Sequence, residues 1–374
     1  MSLEVRPVRS RSDLRKLIKL PFAIHKDDAR WIPPLIWERK QFFNRDKNPY
    51  FRHADAEYFL AWRDDRPVGR ITAMVDRQFN DYHGWTWGTF GNFEVYDDPE
   101  AAGALIDAAE AWVRERGMDR LVGPMDFTMN DEVGILIEGF DLRPMLKQPW
   151  HPPYYQRLIE DQGLEKAHDL LMWNLEVSDR SSVLPIIDEL AANVGPKHNI
   201  TLRHMDKKDL EAEMRRFVEV YNAAWKDNWG FTPISEHEAI QTAKDLKIVI
   251  DPDWTWVAET EDGETVGVAL TIPDFNQAIE TAHGRILPLG WLKMLLKKPK
   301  IDRVRVGFLG VKPEYQHTGV AAAFYVEHFE MATRKPQDGG EMGWILESNK
   351  GMNRGMEAMG GRVVKKYRLY ERVF

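Results

Sequence analysis

The chain of 374 residues contains no cysteine. That excludes disulfides, thiolate-held metal centres and any covalent acyl-cysteine intermediate. No apolar run approaches the ~18 residues of a membrane span. The opening Met1-Ser2-Leu3-Glu4 does not begin the basic and then apolar stretch of a secretion signal. The expectation is a cytoplasmic protein with no membrane partner. A sustained basic stripe is also missing. With 51 Lys and Arg against 59 Asp and Glu the net charge is −8, which disfavours a nucleic-acid partner. No metal is expected. What is present is globular in character, at 43% hydrophobic and 29% charged residues, and long enough for two domains with their own cores. Tryptophan (14) and phenylalanine (17) are plentiful enough to line a pocket.

Near the C-terminus Val304-Arg305-Val306-Gly307-Phe308-Leu309-Gly310-Val311 reads as a strand. Lys312-Pro313-Glu314-Tyr315 leads to Gln316-His317-Thr318-Gly319-Val320-Ala321, where a helix begins. Val304, Val306 and Phe308 alternate, but the apolar series resumes out of phase at Leu309 and Val311. A one-residue phase slip predicts a β-bulge, which would part this strand from a neighbour and open a slot. Gly319 has no Cβ to block a ligand. The first amides of a helix lack internal partners and carry partial positive charge, so this turn offers a diphosphate cradle. Ala322, Val326 and Phe329 have the spacing of a helix packed on a sheet.

These residues resemble the GCN5-related N-acetyltransferase (GNAT) superfamily, whose loop reads Gln/Arg-x-x-Gly-x-Gly/Ala. Val311-Lys312-Pro313-Glu314 is similar to the family's strand end. Ile345-Leu346-Glu347-Ser348-Asn349 is similar to its next strand, and Gly360-Gly361 follows the next helix. These motifs span about residues 300–374.

An internal repeat extends the resemblance. Leu60-Ala61 and Val68-Gly69 bracket a turn just as Val257-Ala258 and Val266-Gly267 do. Upstream, Val5-Arg6 with Asp13-Leu14 echoes Leu202-Arg203 with Asp209-Leu210. Landmarks at nearly one period argue for duplication. The expected fold is α/β with a mixed sheet, in two tandem GNAT-like domains. Residues 1–177 form a degenerate copy and 200–374 the acyl-CoA-binding copy. Between them, 178–199 hold a linker helix (181–192, capped by Ser178 or Asp179) and a turn (193–199). Degeneracy is read from Gly91-Asn92-Phe93-Glu94-Val95-Tyr96-Asp97-Asp98-Pro99-Glu100: its carboxylates would repel a diphosphate, and Pro99 has no N–H.

The resemblance implies acetyl-CoA or another acyl-CoA, held at its pyrophosphate by the amides of His317, Thr318, Gly319, Val320 and Ala321, with Gln316 opening the loop. Leu309 and Val311 would pair with the pantetheine as an added strand does, and Asn349 closes the site. An amine attacks the thioester directly, so a base must take its proton; Glu347 is the candidate. Val311 N–H would face the oxyanion. The family's usual proton-donating Tyr falls here on Met356, which cannot donate. Water could serve at some loss of rate, or Tyr315, Tyr367 or Tyr370 could stand in, with Tyr367 preferred.

Long polar and aromatic segments, 123–134, 148–155, 228–231 and 273–276, suggest an acceptor pocket built from Asn130, Asp131, His151, Tyr154, Trp229, Asp274 and Asn276. The stretch Leu287–Lys300 reads as a surface helix, or as lysines (Lys293, Lys297, Lys298, Lys300) drawn to the cofactor's 3′-phosphate. Three functions fit. They are an N-acyltransferase acting on a small-molecule amine, a non-catalytic acyl-CoA binder, and an aminoacyl-tRNA-dependent transferase. The loop at 316–321 and the acidic net charge speak against the last, Met356 is the main support for the second, and the first is preferred.

Overall fold

Both halves of the chain open with a strand that runs into a side-chain-capped helix. In the first half β1 (Leu3–Pro7) precedes α1 (Arg11–Ile24), and the Ser10 hydroxyl accepts the Asp13 N–H at 3.0 Å. There follow α2 (Ile36–Phe42), β2 (Ala54–Arg63), β3 (Arg66–Asp76), α3 (Arg77–His83), β4 (Trp87–Val95), α4 (Pro99–Arg114), β5 (Arg120–Gly123), β6 (Ile135–Glu138), α5 (Tyr154–Glu160) and β7 (Glu165–Glu176). The linker helix α6 (Pro185–His198) leads to the second half, which opens with β8 (Ile200–His204) and α7 (Leu210–Ala224), then β9 (Thr255–Thr260), β10 (Thr265–Pro273), α8 (Asn276–Ile279) and α9 (Gly290–Lys297). It ends with β11 (Arg303–Val311), α10 (Val320–Ala332), β12 (Gly339–Leu346), α11 (Lys350–Ala358) and β13 (Arg362–Val373). This computed structural model describes residues 2–176, 180–240 and 250–374.

The repeat is visible in register as well as in order. Ala61 faces Gly69 across the β2–β3 hairpin, and Ala258 faces Gly267 across β9–β10. The fold is mixed α/β, with the first sheet running β1-β2-β3-β4-β5-β13 and the second β7-β12-β11-β10-β9-β8. In the first, Ala102, Leu105, Ile106, Ala109 and Val113 of α4 are fully buried on the strands. In the second, α10 covers one face with Val320, Phe324 and Phe329. Val220 and Tyr221 of α7 pack with Phe308 and Val268.

The compact units do not follow the expected division at 177 and 200. One comprises residues up to 170 with 278–295 and 365–374; the other comprises 171–277 and 296–364. Each closing strand, β7 and β13, is shared out between them. The reason lies at β5, whose edge is completed by the end of the chain: Tyr370, Glu371, Arg372 and Val373 pair antiparallel with Gly123, Val122, Leu121 and Arg120. Tyr367, Leu369 and Tyr370 are at most 1% exposed.

The linker also differs. Ser178 and Asp179, the expected caps, lie outside the described residues. The helix runs over Pro185–His198 with no side-chain cap at Leu184. The stretch expected as a turn is its last winding, which stops where Asn199 adopts φ 53° and donates its N–H to the Gly195 carbonyl. Deleting residues 365–374 should therefore unfold the first unit, although it removes only the far end of the chain. Limited proteolysis should show new cleavage within residues 1–170, and an unchanged digestion pattern would refute the shared-strand arrangement.

Candidate functional site

The bulge expected from the phase slip is present. Leu270 of β10 faces Phe308 and Thr271 faces Val306, which leaves Gly307 without a partner. On its other side β11 pairs in parallel with β12 only from Arg303 to Val306, opposite Gly339 to Met342. Beyond Val306 the two strands part. Against the paired stretch, under α10, lies a small cleft lined by Val304, Val306, Leu309, Tyr325, Phe329, Gly340 and Met342 among others. Its walls are almost wholly apolar. His328 also lines it and is neutral: burial drives its pKa down to about 4, Nδ1 lies 2.5 Å from the Phe324 carbonyl, and Nε2 lies 2.7 Å from the Thr271 hydroxyl. The Tyr325 hydroxyl reaches only the Met352 sulfur among the described residues, at 3.5 Å, and burial pushes its pKa up, so it stays protonated.

Charge enters β11 and β12 at neighbouring register positions. Arg305 faces Glu341 across the parallel ladder. The residues are 8% and 5% exposed. The Arg305 guanidinium donates to the Gly343 carbonyl at 3.2 Å and lies 4.9 Å over the Trp344 ring. Burying charge inside apolar strands is costly without partners. The expectations from sequence overlooked both residues, although a charged residue inside Val304-Arg305-Val306 was the available signal.

In the loop expected to cradle a diphosphate, Gly319 adopts φ 87°, and a Cβ there would lie 2.6 Å from the Leu190 carbonyl oxygen of α6. The missing side chain admits the backbone of the linker helix, so on its Cβ side the glycine serves packing rather than ligand access. Thr318 is buried and its hydroxyl donates to the Tyr315 carbonyl at 2.6 Å. Val320 belongs to the core, Ala321 is half-buried, and Gln316 and His317 are exposed. Gln316 Nε2 donates to the Val311 carbonyl at 3.4 Å, and the His317 ring lies 5.9 Å from that of His198. Beside the loop, Lys312 is held between Glu219 (2.5 Å) and Glu264 (2.9 Å).

Among the other expected residues, Leu309 lines the cleft and Val311 pairs with Gly267. Glu347 stands exposed just past β12. Asn349 caps α11, its side chain accepting the Met352 N–H at 3.1 Å. Met356 is fully buried in the core. Tyr367 corrects an expectation: it lies in the first unit, fully buried, with its hydroxyl donating to the Pro149 carbonyl at 3.1 Å. A residue so committed cannot stand in beside the 316–321 loop. Asn130, Asp131, His151 and Tyr154 fall in the first unit, and Trp229, Asp274 and Asn276 in the second. Asp131 binds Lys147 at 2.8 Å, and Tyr154 donates to the Val95 carbonyl at 3.0 Å. His151 Nδ1 accepts the Leu136 N–H at 3.2 Å, and burial lowers its pKa to about 4.

The first unit holds a buried polar cluster that sequence reasoning missed. His25 Nε2 lies 2.7 Å from Glu94, which also accepts the Tyr155 hydroxyl at 2.7 Å. Burial pushes the Glu94 pKa up, but His25 and Arg70 outweigh it and hold it at about 2. Asp126 accepts the Asn92 N–H at 2.6 Å. Burial and the neighbouring Glu132 drive the Asp126 pKa up to about 7, against Arg39 and Arg70. In the same unit Asp98 caps α4 through the Ala101 N–H and pairs with Arg63 at 2.7 Å. Glu100 also pairs with Arg63, and Asp97 with Arg157. Ion pairs occupy the turn where a diphosphate would sit.

Two outcomes follow from this geometry. Gly319→Ala should lower stability by about 1–3 kcal/mol through backbone strain and the Leu190 contact, read as a fall in Tm; an unchanged Tm would refute the packing role. Folded Asp126 keeps a proton that the unfolded chain releases above pH 3.8, so stability declines as pH rises from there through about 7. Asp126→Asn removes that decline. The Tm of the variant should gain on the wild type across this window, and a constant difference would contradict the assignment.

No family model matches the sequence. The chain is 37% identical over 377 residues to the "Bacterial ceramide synthase" of Caulobacter vibrioides (strain NA1000 / CB15N), covering 99% of this chain and 97% of that protein. It is 35% identical over 374 residues to "Protein YghO" of Escherichia coli (strain K12), covering 98% and 95%. Among solved structures it resembles a tandem GNAT protein from the clavulanic acid biosynthesis pathway, with TM-score 0.58, 11% identity, and coverage of 100% and 98%. It also resembles a GCN5-related N-acetyltransferase from Sphaerobacter thermophilus, with TM-score 0.54, 15% identity, and coverage of 99% and 95%. The chain thus has a GNAT-superfamily fold of the tandem kind and belongs to the family of the Caulobacter ceramide synthase and YghO.

Proposed function

We propose that this protein is an acyltransferase that moves a long acyl chain from a thioester, acyl-CoA in the first instance, to the amino group of a lipid-type acceptor. The observation that carries this reading is the apolar cleft walled by β11, β12 and α10. Its apolar walls suit aliphatic groups, and each buried methylene contributes about 0.8 kcal/mol. The relative named a ceramide synthase supports the same donor and acceptor class, since a ceramide is the amide of a long-chain amino alcohol with a fatty acid.

The chemistry needs a neutral amine, whose nitrogen bonds to the thioester carbonyl carbon as the carbon–sulfur bond breaks. The amine proton passes to a base, and the leaving sulfur takes up a proton. Glu347, exposed at the end of β12, is our base. For the donor we assign Tyr325 in place of Tyr367: the residue lines the cleft, its hydroxyl remains protonated, and among the described residues it reaches only a thioether. The amides of the 316–321 loop stay our candidates for the donor's diphosphate, with α6 packed against the Cβ side of Gly319.

Purified protein given a long-chain acyl-CoA and a long-chain amino alcohol should form the amide, seen by mass spectrometry, with one free thiol released per turnover. The thiol assay has no background from the protein, which lacks cysteine. Glu347→Gln should lower kcat by about 10²–10³ with KM little changed. Tyr325→Phe should lower it by about tenfold, given that a CoA thiolate leaves readily. Turnover of acetyl-CoA alone, with long-chain thioesters inert, would overturn the reading.

A further inference from the structure

Helix α9 and the turn before it present leucines to solvent. In an ordinary surface helix the apolar stripe faces the core and charge faces water. Here Leu287, Leu289, Trp291, Leu292, Leu295 and Leu296 are exposed at 37–74%. At 100° per residue, Trp291, Leu292, Leu295 and Leu296 cover one arc of about 140°. Lys293 and Lys297 fall outside that arc, as do Gly290 and Met294. Gly290 is buried, and a Cβ there would meet the Arg285 carbonyl oxygen at 1.9 Å. The helix therefore rests on its small residue and turns its leucines outward. The backbone supports this pose: the Trp291 N–H donates to the Ile286 carbonyl at 2.8 Å, and the Lys293 N–H to that of Leu289 at 3.1 Å.

The charge around this face has one sign. No acidic residue occurs between Glu280 and Asp302, while Arg285, Lys293, Lys297, Lys298 and Lys300 do, in a chain whose net charge is −8. Lys293, Lys297 and Lys300 form no ion pair with a described residue. A second copy of so acidic a protein offers poor complementarity to the leucines, because exposed aliphatic side chains ringed by lysine seek a surface both apolar and anionic. A bilayer with acidic headgroups is such a surface. Basic side chains near it are drawn to the phosphates, leucine enters the acyl boundary, and tryptophan favours the interface. At eight residues α9 is far too short to span, and no helix among the described residues is long and apolar enough to cross a membrane.

We propose that Leu287–Lys300 is a membrane-surface anchor, in which Trp291, Leu292, Leu295 and Leu296 insert into the boundary of an anionic phospholipid leaflet and the lysines contact its phosphates. This replaces both the expectation of no membrane partner and the assignment of these lysines to a cofactor phosphate. It stands on exposure and charge alone, so it survives if the acyltransfer reading fails. Should that reading hold, the anchor delivers the protein to the phase in which a lipid-type acceptor dissolves.

The test is co-sedimentation of the full chain with phosphatidylcholine vesicles, with and without phosphatidylglycerol. The wild type should pellet with the phosphatidylglycerol vesicles, and added salt should weaken this, as screening requires. The double variant Leu295→Glu, Leu296→Glu changes only exposed positions and should keep the wild-type Tm while losing binding by at least about tenfold. A double variant with lowered Tm is replaced by Lys293→Glu, Lys297→Glu, which should lose binding in the same way. Several outcomes overturn the anchor: no sedimentation of the wild type, equal sedimentation of the variants, or a change from dimer to monomer on ultracentrifugation in place of a binding loss. Salt-sensitive capture of an acidic acyl carrier protein at this face, without vesicle binding, overturns it too.

Discussion

One unpaired residue sets the shape of the second unit. Gly307 slips the register of β11 against β10, and β11 leaves β12 at Val306. Strands that part normally expose backbone groups and apolar side chains to water, so a fold does not part them without covering what is opened. Here α10 lies over the gap with Tyr325 and Phe329, and Trp254 and Met342 close it from the sheet. The result is an apolar cleft walled by β11, β12 and α10, with Glu347 exposed past the far end of β12. The proposed chemistry needs a dry slot for a chain and a wet end for proton transfer.

Both halves carry the same hairpin and the same strand-to-helix turn, and each turn is packed by its own neighbours. In the first half Asp97, Asp98 and Glu100 are matched by Arg157 and Arg63. In the second, Gly319 meets the backbone of α6. One motif can serve two ends, because the absence of Cβ permits a close approach without specifying by what. The glycine was legible in the sequence, whereas its neighbour was not, since Leu190 is 129 residues away along the chain.

What the sequence disclosed follows the range of the physics involved. The two hairpins, the strand-to-helix turns and a bulge in β11 rest on residues a few positions apart, and pattern reveals them. The completion of β5 by Tyr370–Val373 depends on pairing across the whole chain, which displaced the expected boundaries. Tyr367 went into the first unit for the same reason. The buried pairs His25–Glu94 and Arg305–Glu341 looked like ordinary charged residues until the fold enclosed them. Conversely, the Leu287–Lys300 stretch read as a plain surface helix because composition does not say which face points outward.

The account stands on an acyl chain lying between β11 and β12. A long-chain acyl thioester with a photoreactive diazirine near its methyl end, irradiated on the protein and mapped by peptide mass spectrometry, tests this directly. Labels are expected on residues lining the cleft, such as Val306, Leu309, Phe329 and Met342, and competition by unlabelled long-chain thioester should remove them. Labelling confined to the first unit, or spread without competition over the surface, would contradict the account.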